Sequence, residues 1–176
     1  MRSLGERRPS YDLHGSTAPA EVEWAPRPAG WRSYEKTVQV GSGAEQWVEA
    51  ASSVLQWGVK TRSGFRVEGP DSASGRVREG DRYWLIARLG PLRVREPALV
   101  VAVVDEPDRC GFAYGTLEGH PVSGEEAFIV HRDGDERVWL TLRSITRAGS
   151  GLWRVAFPAA RVAQRWYRWR YQRALC

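Results

Sequence analysis

Cysteine is nearly absent from this chain of 176 residues: there are two, Cys110 and the terminal Cys176. That excludes a disulfide framework and the paired spacing of a zinc site, and makes a reducing cytoplasm the expected compartment. The histidines His14, His120 and His131 are scattered, with no two at helical ligand spacing, so no metal is predicted. Long apolar runs are also missing. The longest, Ala98 to Val104, is far too short to cross a bilayer, and the first residues lack an apolar stretch of signal-peptide length. No nucleophile elbow, P-loop or dinucleotide fingerprint is present, so no cofactor is predicted. A soluble protein without a transmembrane segment is expected.

Lysine is scarce as well, for 24 of the 26 basic residues are arginine. The formal charge of +5 looks like a nucleic-acid signal until it is located: Arg161 to Cys176 holds five arginines and no acid, which equals the whole excess. A solvated basic helix end accounts for it, and no nucleic-acid motif accompanies the charge.

Residues 1–32 are rich in Pro, Gly, Ser and Arg without a sustained period, and read as an irregular arm that Trp24 and Trp31 dock onto a domain spanning 33–176. Glu35 to Val40 reads as a strand. Ser42-Gly43-Ala44-Glu45 resembles a capping box opening a helix to about Trp57, with Trp47, Val48, Ala51, Val54 and Leu55 on its buried face. Strand-like segments then recur near 65–68, 81–89, 92–104, 110–117, 124–131 and 137–146, separated by turn residues that include Glu106-Pro107-Asp108 and Arg132-Asp133-Gly134-Asp135. This is an antiparallel meander.

A last helix is predicted from Pro158 to about Leu175, with proline in its first turn. Its apolar arc holds Ala159, Val162, Ala163, Trp166, Tyr167 and Trp169, with Arg161, Gln164, Arg165, Arg168 and Gln172 opposite. Arg170 and Arg173 fall inside the apolar arc, where each must snorkel, meet a carboxylate or face a polar cavity. The fold class is therefore α+β: a helix-grip-like curved antiparallel sheet wrapped around a long C-terminal helix, with one shorter N-terminal helix. Such a fold often encloses a cavity.

One stretch, GFAYGTLEGHPVSGEEAF from Gly111 to Phe128, crowds a tyrosine, a histidine and two adjacent glutamates around a hairpin. With Pro28-Ala29-Gly30-Trp31, Val40-Gly41-Ser42-Gly43, the Ala50 to Trp57 segment and Val104-Asp105-Glu106, it resembles the bacterial and plant domain-of-unknown-function family numbered nineteen-ninety, also called uncharacterised protein family five-four-eight. The chain departs from that pattern in the string Tyr11 to Thr17, at Glu118, and over Ile145 to Ala148. The resemblance implies a relative of the START-like lipid-transfer and polyketide-cyclase superfamily, whose members hold apolar ligands in a helix-grip cavity. It implies no single activity.

Candidate site residues follow from the central stretch and the last helix. Glu125 and Glu126 are neighbours on a strand, so one at most faces inward; their apolar companions slightly favour Glu126. His120 sits in a Gly-His-Pro tip and is a candidate for proton transfer with either glutamate. Tyr114 and Thr116 alternate with Phe112 and can orient a ligand, as can Trp166 and Arg170. Cys110 lacks a nearby histidine and is a poor nucleophile.

Three readings stay open. The chain binds a small, largely apolar or aromatic molecule between sheet and last helix. Alternatively it is a cyclase, dehydratase or isomerase using His120 with Glu125 or Glu126. In the third, the arginine-rich helix contacts an acidic partner, an anionic membrane surface or nucleic acid, the last being disfavoured.

Overall fold

The computed structural model describes residues 3–25, 29–70, 75–89, 92–149 and 152–176. In chain order the elements are β1 (Arg32–Ser42), α1 (Ala44–Val54), α2 (Gly58–Arg62), β2 (Arg66–Glu68), β3 (Arg82–Leu89), β4 (Leu92–Glu106), β5 (Arg109–Thr116), β6 (Val122–Arg132), β7 (Arg137–Ala148) and α3 (Leu152–Tyr171). The strands form one antiparallel 7-stranded sheet in the order β1-β7-β6-β5-β4-β3-β2. From β2 to β7 each strand pairs with its neighbour in sequence, as turn-separated segments dictate. Only β1 pairs far along the chain, with β7. The element order and sheet are those of the α+β helix-grip fold expected from the sequence.

Alternation along the strands divides the sheet into two faces. Phe112, Tyr114, Phe128, Val130, Leu140 and Leu142 join Val54, Leu55 and Trp57 and, from α3, Tyr167 and Tyr171 in one main core on the concave face. Ala113, Ala127 and Ile129 form a small cluster on the convex face.

Several sequence expectations need correction. No side chain caps α1; its N-cap is Gly43, so the capping box does not form. Val48 is exposed, whereas Trp47, Ala50 and Val54 carry the buried face. The second short helix α2 was not foreseen. The last helix begins at Leu152, well before Pro158. It ends at Tyr171, and its inward face is rotated, because Tyr167 and Tyr171 are buried while Val162, Trp166 and Trp169 stand exposed. The side chains of Ala159 and Arg161, which the sequence assigned to opposite faces of the last helix, lie outside the described residues.

Candidate functional site

The site starts from a strained corner. Between α1 and α2 the chain turns at Trp57 with φ 62°, a left-handed conformation that is unfavourable for a residue with a Cβ. Packing holds it there: the indole lies 4.6 Å from the Phe112 ring, 5.0 Å from Tyr83 and 5.4 Å from Tyr114. Gly58 follows because a Cβ at that position would come within 2.0 Å of the Ser53 Oγ and 2.6 Å of its carbonyl oxygen. This corner aims Lys60 of α2 into the concave core.

Lys60, one of two lysines in the chain, is 2% exposed. Its Nζ donates to the Tyr171 hydroxyl at 2.7 Å and pairs with Glu126 Oε2 at 3.1 Å. Tyr114 donates to the same Glu126 oxygen at 2.6 Å. Four rings surround the ammonium, those of Phe65 at 4.4 Å, Tyr171 at 4.8 Å, Tyr114 at 5.0 Å and Phe128 at 5.7 Å. Register explains the convergence: Tyr114 pairs with Glu126 and Glu126 with Ser144, placing the three in one row across β5, β6 and β7. Burial raises both tyrosine hydroxyls well above their ordinary range, and the Glu126 carboxylate adds to that. From α3, Arg168 donates to the Ser144 hydroxyl at 2.7 Å and lies over the Tyr34 ring at 3.9 Å. Burial lowers its pKa.

A second pair adjoins this cluster. His120 Nδ1 accepts the Val122 N–H at 3.1 Å, which leaves the ring proton of the neutral imidazole on Nε2. That nitrogen is buried, has no hydrogen-bond partner, and faces Glu96 Oε2 at 3.7 Å. Burial, reinforced by the Lys60 charge, depresses His120 to about 3, so the ring is neutral at physiological pH. Burial also raises the Glu96 carboxyl to about 7; Lys60 opposes this and Glu126 adds to it. The contact is therefore a neutral imidazole facing a carboxyl poised near neutrality, not a salt bridge.

The other sequence candidates lie elsewhere. Glu125 points to the convex face and binds the N-terminal arm: it accepts hydrogen bonds from the Tyr11 hydroxyl at 2.9 Å, Gly15 N–H at 2.8 Å, Thr17 N–H at 2.9 Å and the Thr17 hydroxyl. Arg143 and Arg109 extend this fastening. Arg143 donates to the carbonyls of Ala18, Glu21 and Val22 and pairs with Glu35, and Arg109 reaches those of Pro19 and Glu21. Gly115 lets the arm approach, since a Cβ there would fall 2.0 Å from the Tyr11 hydroxyl.

Thr116 bonds the Ser10 hydroxyl and the Gly124 backbone, so its hydroxyl is engaged away from the Lys60 cluster. Trp166 is 46% exposed, and Arg170 stacks on it at 4.9 Å instead of entering the interior. Burial pushes the Cys110 thiol up to about 12, with Asp105 adding to the shift, consistent with an unreactive cysteine. Among the described residues no three His, Cys, Asp or Glu side chains gather to hold a metal ion. No helix among them is long and apolar enough to cross a membrane.

A cleft of about 570 Å³ lies at the β2–β4 end of the sheet, lined by Gly64, Phe65, Arg66, Glu68, Ile86, Arg88, Arg93 and Arg95. Phe65 is both a wall of the cleft and the ring nearest the Lys60 ammonium. Sequence reasoning missed Lys60 and Glu96. A signal existed for each: a lysine where arginine is used almost everywhere, and an acid directly before the apolar run Pro97-Ala98-Leu99-Val100.

Comparison with known proteins agrees with this architecture. A protein from Deinococcus radiodurans described as a UPF0548 protein is 36% identical over 171 residues, covering 91% of this chain and 82% of that one. Among solved structures, a hypothetical protein from Helicobacter pylori superposes with a TM-score of 0.55 at 13% identity, over 82% of this chain and 84% of the other. The major latex-like protein 151 of Panax ginseng gives 0.51 at 10% identity, over 84% and 96%. These two show the fold alone. The model of the domain of unknown function DUF1990 matches residues 11–174, and with the Deinococcus relative it establishes that this chain belongs to the DUF1990 (UPF0548) family.

Proposed function

We propose that the protein binds a small, largely apolar or aromatic molecule between the curved sheet and α3, with Lys60, Glu126 and the hydroxyls of Tyr114 and Tyr171 meeting its polar end. One observation carries this reading: a lysine buried among four aromatic rings and paired with a buried carboxylate. Burying such a pair costs several kcal/mol of desolvation, and apolar side chains of similar volume would fill the core as well or better. Polar groups kept at that expense in an apolar interior mark a site.

The test is native mass spectrometry of protein purified gently from its own host, then denaturation and identification of any released molecule. One molecule per chain, absent from Lys60→Met prepared alongside, supports the reading. An empty wild-type chain, or an undiminished load in the variant, overturns it.

An enzyme of the cyclase, dehydratase or isomerase type is a second reading, favoured by the His120–Glu96 pair. The acid-base partner of His120 is then Glu96, not Glu125 or Glu126, because the latter two are committed to the arm and to Lys60. A carboxyl near 7 can both hold and release a proton at physiological pH, and the unpartnered imidazole N–H can donate to a substrate oxygen. On the released molecule, Glu96→Gln should abolish turnover while affinity persists. Turnover equal to wild type removes this reading.

A further inference from the structure

The arginines around the cleft raise a question that the interior cluster does not answer. Register places them together: Arg66 pairs with Ile86, Ile86 with Arg95, and Arg88 with Arg93. Paired residues share a face of the sheet, so these four arginines surround Ile86 on the side opposite Leu85 and Ala87. The arrangement is uneven. Glu68 pairs with Arg66 at 3.0 Å and with Arg95 at 3.6 Å, and the Arg95 guanidinium also lies over the Trp84 ring at 4.4 Å. Arg88 and Arg93 are exposed and have no side-chain partner among the described residues. Like charges directly opposite across two strands destabilise the pairing. Nothing in the fold needs that contact, and either position would hold a neutral residue.

We infer that this cleft binds a small molecule carrying clustered phosphate groups, with Arg88 and Arg93 as the principal contacts, Arg66 and Arg95 flanking them, and Ile86 accommodating an apolar part of the same ligand. Four arginines against one carboxylate give the cleft a formal +3, and guanidinium groups match phosphate oxygens in pairs. A cleft of about 570 Å³ suits a small molecule. The inference is independent of whether Lys60 meets a ligand.

Isothermal titration of the whole chain with inorganic pyrophosphate tests it, with sodium chloride at matched ionic strength as the control. Expected are one pyrophosphate per chain, at least tenfold weaker binding by Arg88→Gln/Arg93→Gln, and intermediate weakening by Arg88→Lys/Arg93→Lys, which keeps charge but loses the fork. Without pyrophosphate, the glutamine variant should melt at or above the wild-type temperature, since a repulsive contact is gone. Lys60→Met should bind pyrophosphate as wild type does, which separates this site from the interior one. No heat beyond the salt control overturns the inference, as does wild-type affinity in the glutamine variant. Equal weakening by Arg165→Gln/Arg173→Gln would also overturn it, by showing diffuse attraction to the helix.

Discussion

Glu125 and Glu126 are adjacent in sequence, both nearly buried, and opposite in kind. On the convex face, Glu125 is surrounded by neutral donors from an arm more than a hundred positions earlier, and it ties that arm to the sheet. On the concave face, Glu126 meets a buried ammonium and a tyrosine hydroxyl inside a cage of rings. A carboxylate satisfied by neutral amides and hydroxyls is a fastener, because no charged partner shares its site. One that shares a low-dielectric interior with a lysine, tyrosines and a second acid belongs to a site where a small change in surroundings moves charge.

The largest expected effect lies on the convex face. Glu125→Leu strands three buried donors and a fourth, part-buried one at Gly15, and should lower stability by about 4 kcal/mol, read from denaturant unfolding. No single second substitution should restore it. A loss within experimental error would mean that the arm is held by Arg143 and Arg109 instead.

On the concave face the loss should be reversible. Lys60→Met leaves Glu126 buried without its cation and should cost about 3 kcal/mol, and adding Glu126→Gln should recover most of it. Simply additive losses would remove the paired-charge description.

Glu96 and His120 sharpen the contrast through pH. The folded state holds Glu96 up near 7 against an ordinary 4.5, so folding loses stability as pH rises from about 4.5 to about 7. It holds His120 down near 3 against 6.5, so folding loses stability as pH falls from about 6.5 to about 3. Between 4.5 and 6.5 these contributions oppose each other, and the pair leaves wild-type stability nearly flat. In Glu96→Gln only the histidine contribution remains, and stability should climb by about 3 kcal/mol across that window relative to wild type. Denaturation midpoints that stay parallel would sink the assignment of both groups.

The smallest effect concerns α3. Trp169 is 53% exposed, so Trp169→Ala should change stability by no more than about 0.5 kcal/mol, although the sequence assigned it to the buried arc. A multi-kcal/mol loss would put the rotated helix face in doubt.

Much of the fold was legible because it is local. Alternating apolar residues bounded by Pro, Gly and Asp marked β3 to β7, and the neighbour-to-neighbour pairing followed from the turns. At Asp133 the turn residue binds the backbone N–H groups of Asp135 and Arg137 and the Trp139 indole N–H. The site was legible in part. Glu126 and Tyr114 lie in the row that alternation suggests, but Thr116 in the same alternation is engaged by Ser10 and Gly124 at the strand end. Helical projection placed Arg170 inside and Arg168 outside, whereas Arg168 reaches Ser144 and Arg170 lies on Trp166. A projection fixes which residues share a face, and packing against a particular sheet decides which face turns inward.

The sequence by itself determined the α+β class, the order of helix, meander and final helix, the central stretch as the place to look, and the separation of Glu125 from Glu126 onto opposite faces. Each follows from short-range rules: the period of a strand or helix, the chemistry of turns, the two-residue pleat. Tertiary structure alone decided that Glu126 meets Lys60, that His120 faces Glu96, and that four arginines from three strands surround one cleft. Those outcomes depend on contacts between residues far apart in the chain and on a strained corner at Trp57 held by three rings. Residues so distant carry no mutual signal in periodicity, since their encounter is set by how the sheet curves and where α2 and α3 settle on it.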